Sequence, residues 1–118
     1  MITYHSDAAS PLIEIQVSGH ITDADLKAAM SRMGSDLELS GKTRIVEVIE
    51  HFTGIEPSAI WTDIKLGIPL ANKVTRVAVV ADQAWIRAVT HLGGLFTKAK
   101  IKVFEPGQLD DARRWAAA

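Results

Sequence analysis

Residues 44–65, RIVEVIEHFTGIEPSAIWTDIK, decide how this chain is read. The apolar run Ile45, Val46, Val48 and Ile49 predicts a strand over 44–50 that is covered on both faces. Residues 51–58 read as a short loop containing Gly54, and Pro57 suits the first position of a helix, where its missing N–H costs nothing. Ile60, Trp61, Ile64 and Ile68 then line one side of that helix. Pro69 predicts that it stops or kinks near Gly67. Junctions between a strand and a following helix are where α/β sheets place ligand and partner sites.

Working outward, residues 12–18 alternate, with Ile13, Ile15 and Val17 on one face and Glu14, Gln16 and Ser18 on the other. Residues 2–5 form a short opening strand that pairs antiparallel with it across a turn. Thr22 caps a helix in a capping box with Asp25, and Leu26, Met30, Met33 and Leu37 face the core. Residues 74–81 contain VAVVA, a strand covered on both faces. Asp82 caps a further helix carrying Trp85, Val89, Leu92 and Phe96, with Gly93 and Gly94 marking close packing or a local break. A strand over 100–104, a turn at Pro106-Gly107 and a helix over 109–117 complete the chain. Glu47, between apolar neighbours, reads as an edge position facing solvent, with a buried acid of raised pKa as the alternative. Helical crossovers imply a mostly parallel α/β sheet with an N-terminal antiparallel hairpin and four covering helices.

The length of 118 residues suits one domain over 1–118 with a core of its own. Thirteen basic and fourteen acidic side chains give a net charge of −1, which offers no footprint for nucleic acid. Without cysteine there is no disulfide, thiolate nucleophile or Cys-ligated zinc. The amino terminus lacks the pattern of a signal peptide, and no apolar run reaches the roughly 20 residues of a membrane span. A cytoplasmic location is the expectation.

Four segments carry a family resemblance: SGHITDADL at 18–26, RIVEVIEHFTGIEPSAIWTDIKLG at 44–67, RVAVVADQAW at 76–85 and KVFEPGQLDDARRWA at 102–116. Together they resemble the SpoIIAA-like group, also described as STAS/SEC14-like domains. The resemblance implies one of two functions. The anti-sigma-factor-antagonist type binds a regulatory protein and is switched by phosphorylation of a serine after the third strand. That branch carries an Asp-Ser-Ser-Gly-like run, whereas here the stretch is HFTGIEPS, with Thr53 and Ser58 as its hydroxyls. The SEC14-like branch implies a hydrophobic or lipid ligand between sheet and helices, with peripheral membrane association. The aromatic, apolar junction fits the second branch.

The candidate ligand-binding residues are therefore Phe52, Ile55, Trp61, Trp85 and Phe96, and the candidate phosphorylation sites are Ser58 and Thr53. The helix over 57–67 would gate the site, pivoting at Gly54 and Gly67. His20, Asp23 and Asp25 come nearest to a metal cluster, but both carboxylates read as helix-start residues, so neither metal nor cofactor is expected. Ser58, His51 and Asp63 are the residue types of a hydrolytic triad, yet no Gly-x-Ser-x-Gly elbow holds them. The chain reads as a binding domain rather than an enzyme, with a lipid, a regulatory protein or a second copy as its partner.

Overall fold

The third strand is the middle of the sheet. In a computed structural model that describes residues 1–82 and 99–118, β1 (Ile2–His5), β2 (Leu12–Ile21), β3 (Arg44–Ile55), β4 (Arg76–Val80) and β5 (Lys100–Phe104) lie in the order β1-β2-β3-β4-β5. β1 is antiparallel to β2, and every other pairing is parallel. Three helices are described: α1 (Asp23–Leu39), α2 (Pro57–Ala71) and α3 (Leu109–Ala117), the last entered through a short 3-10 turn at Pro106–Gln108. The helix expected after Asp82, with Trp85, Phe96, Gly93 and Gly94, lies outside the described residues.

Alternation along the strands sorts the core into two faces. Val46, Val48, Ala78, Val80 and Phe104 meet Ala112 and Ala116 of α3. On the other face Ile13, Ile15 and Ile45 meet Met33 and Leu37 of α1, with Leu70 of α2 against them. Ile13 and Val46 are fully buried, and burial of a side chain that size stabilises by roughly 1.5–3 kcal/mol relative to leaving it in water. The small Ala112 and Ala116 let α3 sit close to the sheet, so its short length still closes that face.

Each helix has an identifiable start. Thr22 and Asp25 form the expected capping box, with both reciprocal bonds at 3.1 Å. These satisfy two backbone donors that an uncapped helix start would leave without a partner. Pro57 occupies the first turn of α2 as expected. α3 finishes against two arginines: Arg44 Nη1 donates to the Ala116 carbonyl and Arg76 Nη1 to the Trp115 carbonyl, each at 2.8 Å. The guanidinium of Arg76 also lies 5.2 Å from the Trp115 ring centre. Arg44 and Arg76 are direct register neighbours on β3 and β4, a like-charge pair that the negative end of α3 offsets.

Three expectations are corrected. Residues 51–55 are not loop, because β3 continues to Ile55 and pairs with the far end of β2. α2 does not stop near Gly67 but runs to Ala71 with Pro69 inside it. An interior proline forfeits one helical hydrogen bond, and here Leu70, packed beside Ile45 and Val74, keeps the helix docked past it. Glu47 is not at an edge: β3 is the central strand, and the register partners of Glu47 are Ile15 and Val79.

Candidate functional site

The junction between β3 and α2 is built by a distorted strand end. Val17 pairs with Ile49, Gly19 with Phe52 and His20 with Gly54, so β3 carries one extra residue in each of the two intervals. Such bulges bend a strand and re-aim its side chains. His51 takes a positive φ of 52°, which places it in the left-handed region, and Gly54 has φ 155°. A Cβ on Gly54 would stand 3.3 Å from His20 Nδ1, so glycine fits both the backbone angle and the space. The Glu56 amide then donates to the Ile21 carbonyl at 2.9 Å, which continues the β2–β3 ladder to the start of α2.

This geometry places the candidate residues as follows. Phe52 is half-buried and packs with Ile49, Val79 and Ala81, while Ile55 is half-buried and Thr53 exposed. Ser58 is exposed in the first turn of α2. Trp61 is 67% exposed and Ile60 47%, so both present apolar surface outward. Trp85 and Phe96 lie outside the described residues. Pro57, Ile60 and Trp61 fall at helical spacing on one side of α2 and all are exposed. On its other side, fully buried Ala59 and Leu70, 3.9 Å from a Cβ built on Gly34 of α1, hold the helix down.

A polar network joins the start of α1 to α2. The Thr62 hydroxyl donates to Asp23 Oδ1, and Lys27 Nζ lies 2.9 Å from Asp23 Oδ2. The Thr62 bond, and then Lys27, hold the Asp23 carboxyl below its usual range. The Asp25 carboxyl is also lowered, chiefly by the Thr22 backbone N–H. Thr62 was silent in the sequence because its partner lies 39 residues away. Asp23 carries a sequence signal only as a helix-start residue. Among the described residues no group of three His, Cys, Asp or Glu side chains is placed to hold a metal ion.

A separate cleft of about 260 Å³ lies on the α3 side, lined by Thr3, His5, Glu14, Gln16 and Arg113. Arg113 donates to both Glu14 oxygens, at 2.7 and 3.1 Å. That pairing, ahead of the opposing effect of burial, raises the Arg113 pKa above its usual value. The pair neutralises itself and pins α3 to β2, so the cleft is structural. The expected solvated face of β2 is thus partly covered, with the Glu14 side chain only 14% exposed.

Comparison with known proteins agrees with this architecture. The chain belongs to the SpoIIAA-like family, which it matches over residues 12–117. It is similar in structure to an uncharacterised protein with a SpoIIAA-like fold from Shewanella loihica PV-4, with TM-score 0.75 and 23% identity over 98% of this chain and 92% of that one. It is also similar to the anti-sigma factor antagonist SpoIIAA in its unphosphorylated form, with TM-score 0.67 and 11% identity over 97% and 98% of the two chains. The phosphorylated form of SpoIIAA, the Bacillus cell fate determinant, gives TM-score 0.66 and 12% identity over 94% and 97%. At these identities the solved structures share the fold. No curated protein matches the chain.

Proposed function

We propose that this SpoIIAA-like domain is a non-enzymatic binding and regulatory module that holds a small hydrophobic or lipid-like ligand where β3 meets α2 and associates peripherally with a membrane. The observation that carries this reading is the outward apolar side of α2, where Pro57, Ile60 and Trp61 are exposed together while Ala59 is fully buried. A helix that shows apolar groups to water on one side and packs on the other has a surface left to cover. Burial of such groups yields about 25 cal/mol per Å² before ordering costs. Exposed Lys65, one turn beyond Trp61, suits the headgroup level of a bilayer. The gate is α2 moving as a unit about Gly54, because the helix passes through Gly67 unbroken. Among the described residues no helix is long and apolar enough to cross a membrane.

The test is native mass spectrometry of the purified chain, followed by vesicle flotation with Trp fluorescence. Co-purified lipid, or a blue shift on addition of phosphatidylcholine vesicles, supports the reading. A chain that carries nothing and stays unbound refutes it.

A second reading has its own observation. Ser58 is exposed in a helix first turn that holds no acidic residue, and the N-cap Glu56 supplies no side-chain bond to the helix. A phosphate on Ser58 would sit at the positive end of the α2 dipole, and SpoIIAA, whose fold this chain shares, has been seen in a phosphorylated form. On that reading the domain binds a regulatory protein partner and Ser58 or Thr53 is its switch. Phosphopeptide mapping that finds both residues unmodified in cells, with no kinase captured, removes it.

A further inference from the structure

We infer that Arg44 and Arg76, with Lys100 beside them, form an anion site at the base of the sheet that takes a phosphate monoester dianion. The site lies at the start of β3, β4 and β5, whereas α2 follows the far end of β3. It is therefore separate from the junction of the ligand reading above and does not rest on it.

Arg44, Arg76 and Lys100 are successive register partners across β3, β4 and β5. Register partners in a sheet point to one face, on strands about 4.8 Å apart. That face is the one α3 covers, because Val46 and Ala78, two residues beyond the arginines, pack against Ala112 and Ala116. Arg44 and Arg76 are half-buried and Lys100 is exposed, so the row can be reached from water. The arginines donate to the carbonyls of two consecutive residues, Ala116 and Trp115, each at 2.8 Å. The two guanidinium groups are thereby drawn together, and the Trp115 ring, with its centre 5.2 Å from the Arg76 guanidinium, orients one of them further.

Finishing α3 is a structural role of both arginines, and it leaves most of their charge unanswered. A helix end supplies roughly half a negative charge, so the three cations of the row keep about two and a half positive charges. Like charges on neighbouring strands repel. Among the described residues no carboxylate is ion-paired with any of the three. Glu14 and Asp110 go to Arg113, Asp111 to Arg114 and Glu38 to Lys73. A guanidinium carries five N–H donors in a rigid fork, and α3 takes one bond from each arginine. Groups already held in place lose little freedom on binding, and the planar fork matches phosphate oxygens. A dianion answers most of the remaining charge, which chloride does not.

The experiment is NMR titration of the isotope-labelled chain with phenyl phosphate, above the second phosphate pKa of about 6, against chloride at matched ionic strength. Flotation with phosphatidylcholine vesicles, with and without phosphatidate, runs beside it. Amide shifts should gather at Arg44, Arg76, Lys100 and the end of α3. Arg76→Gln should weaken binding about tenfold or more, the scale of a hydrogen bond to a charged group. Lys100→Gln, which leaves the bonds to α3 intact, should weaken it about threefold, as for an exposed charge. Arg114→Gln, which removes the same charge from an exposed residue paired with Asp111, should change nothing. Binding of phenyl phosphate assigns a soluble phosphate. Flotation that needs phosphatidate and is lost in Lys100→Gln, without phenyl phosphate binding, assigns a lipid head. Phosphate that binds no better than chloride, with flotation indifferent to phosphatidate, overturns the site. So does an affinity that survives Lys100→Gln, which decides even where Arg76→Gln does not fold.

Discussion

Thr62 on α2 donates its hydroxyl to the carboxylate of Asp23 in the first turn of α1. With Leu70 beside Gly34 and in the cluster with Met33 and Leu37 further along, α2 is fastened to α1 by both polar and apolar contact. The first of these can be removed without touching the core.

Thr62→Val should therefore loosen α2 selectively. Hydrogen exchange should quicken for α2 amides while those of β3 and β4 keep their protection. The Asp23 carboxyl, lowered first by Thr62 and then by Lys27, should move back toward its ordinary value in an NMR titration. A carboxyl lowered in the folded state stabilises above its unfolded pKa of about 4, and that contribution is lost as pH falls through the folded value. The acid side of the stability profile should flatten in the variant. Unchanged exchange in α2 would show that the hydroxyl fastens nothing.

Tyr4 sets the opposite limb. Burial first, then its hydrogen bond to Asp36, pushes the phenol pKa upward. Arg32 stacks 4.5 Å from the ring centre and partly opposes that shift. A raised pKa means that the neutral phenol is the form the fold prefers. Its stabilisation is full below the unfolded value of about 10 and is lost as pH rises above it. Urea unfolding between pH 8 and 11 should show wild-type stability falling more steeply than that of Tyr4→Phe. Parallel curves would sink this account.

The parts of the fold legible in the sequence were those fixed by short-range pattern. Ile13, Ile15 and Val17 announced a one-sided strand, and Thr22 with Asp25 announced the start of α1. What stayed hidden depends on partners far along the chain. Nothing local says that Arg113 will meet Glu14 across 99 residues, or that Arg44 will bond a carbonyl 72 residues on. The polar composition of 51–54 read as loop because bulged strands and loops share His, Thr and Gly. The order of strands in the sheet, which moved Glu47 from edge to centre, has no local signature. For the site, sequence pointed to the junction, while the outward aim of Trp61 required the packing of α2 on α1.

Gly54 is the residue at that junction with the least freedom to change. Its φ of 155° disfavours side chains, and a Cβ would meet His20 Nδ1 at 3.3 Å. Gly54→Ala should cost about 1–3 kcal/mol in denaturant unfolding, the range for a residue forced into a sparsely populated conformation. Adding His20→Ala relieves the contact but not the angle, so the double variant should recover only part of the loss. Full recovery would assign the whole effect to crowding, and an undiminished Gly54→Ala would show that neither constraint matters.

Trp61 separates surface function from stability. At 67% exposure its ring contributes little to the folded core, so Trp61→Ala should change unfolding free energy by no more than about 0.5 kcal/mol, as for ordinary surface substitutions. Binding to vesicles should fall far more, because an exposed indole is the largest single apolar group that α2 can bury in an interface. Trp61→Phe should retain part of the binding, since the ring area is mostly kept and the N–H is lost. Co-sedimentation with phosphatidylcholine vesicles, run beside thermal unfolding of the same samples, reads both quantities. A stability loss as large as the binding loss would place Trp61 among the packing residues and turn the outward side of α2 into a consequence of folding alone. Intact binding in Trp61→Ala would move the contact surface away from α2 altogether.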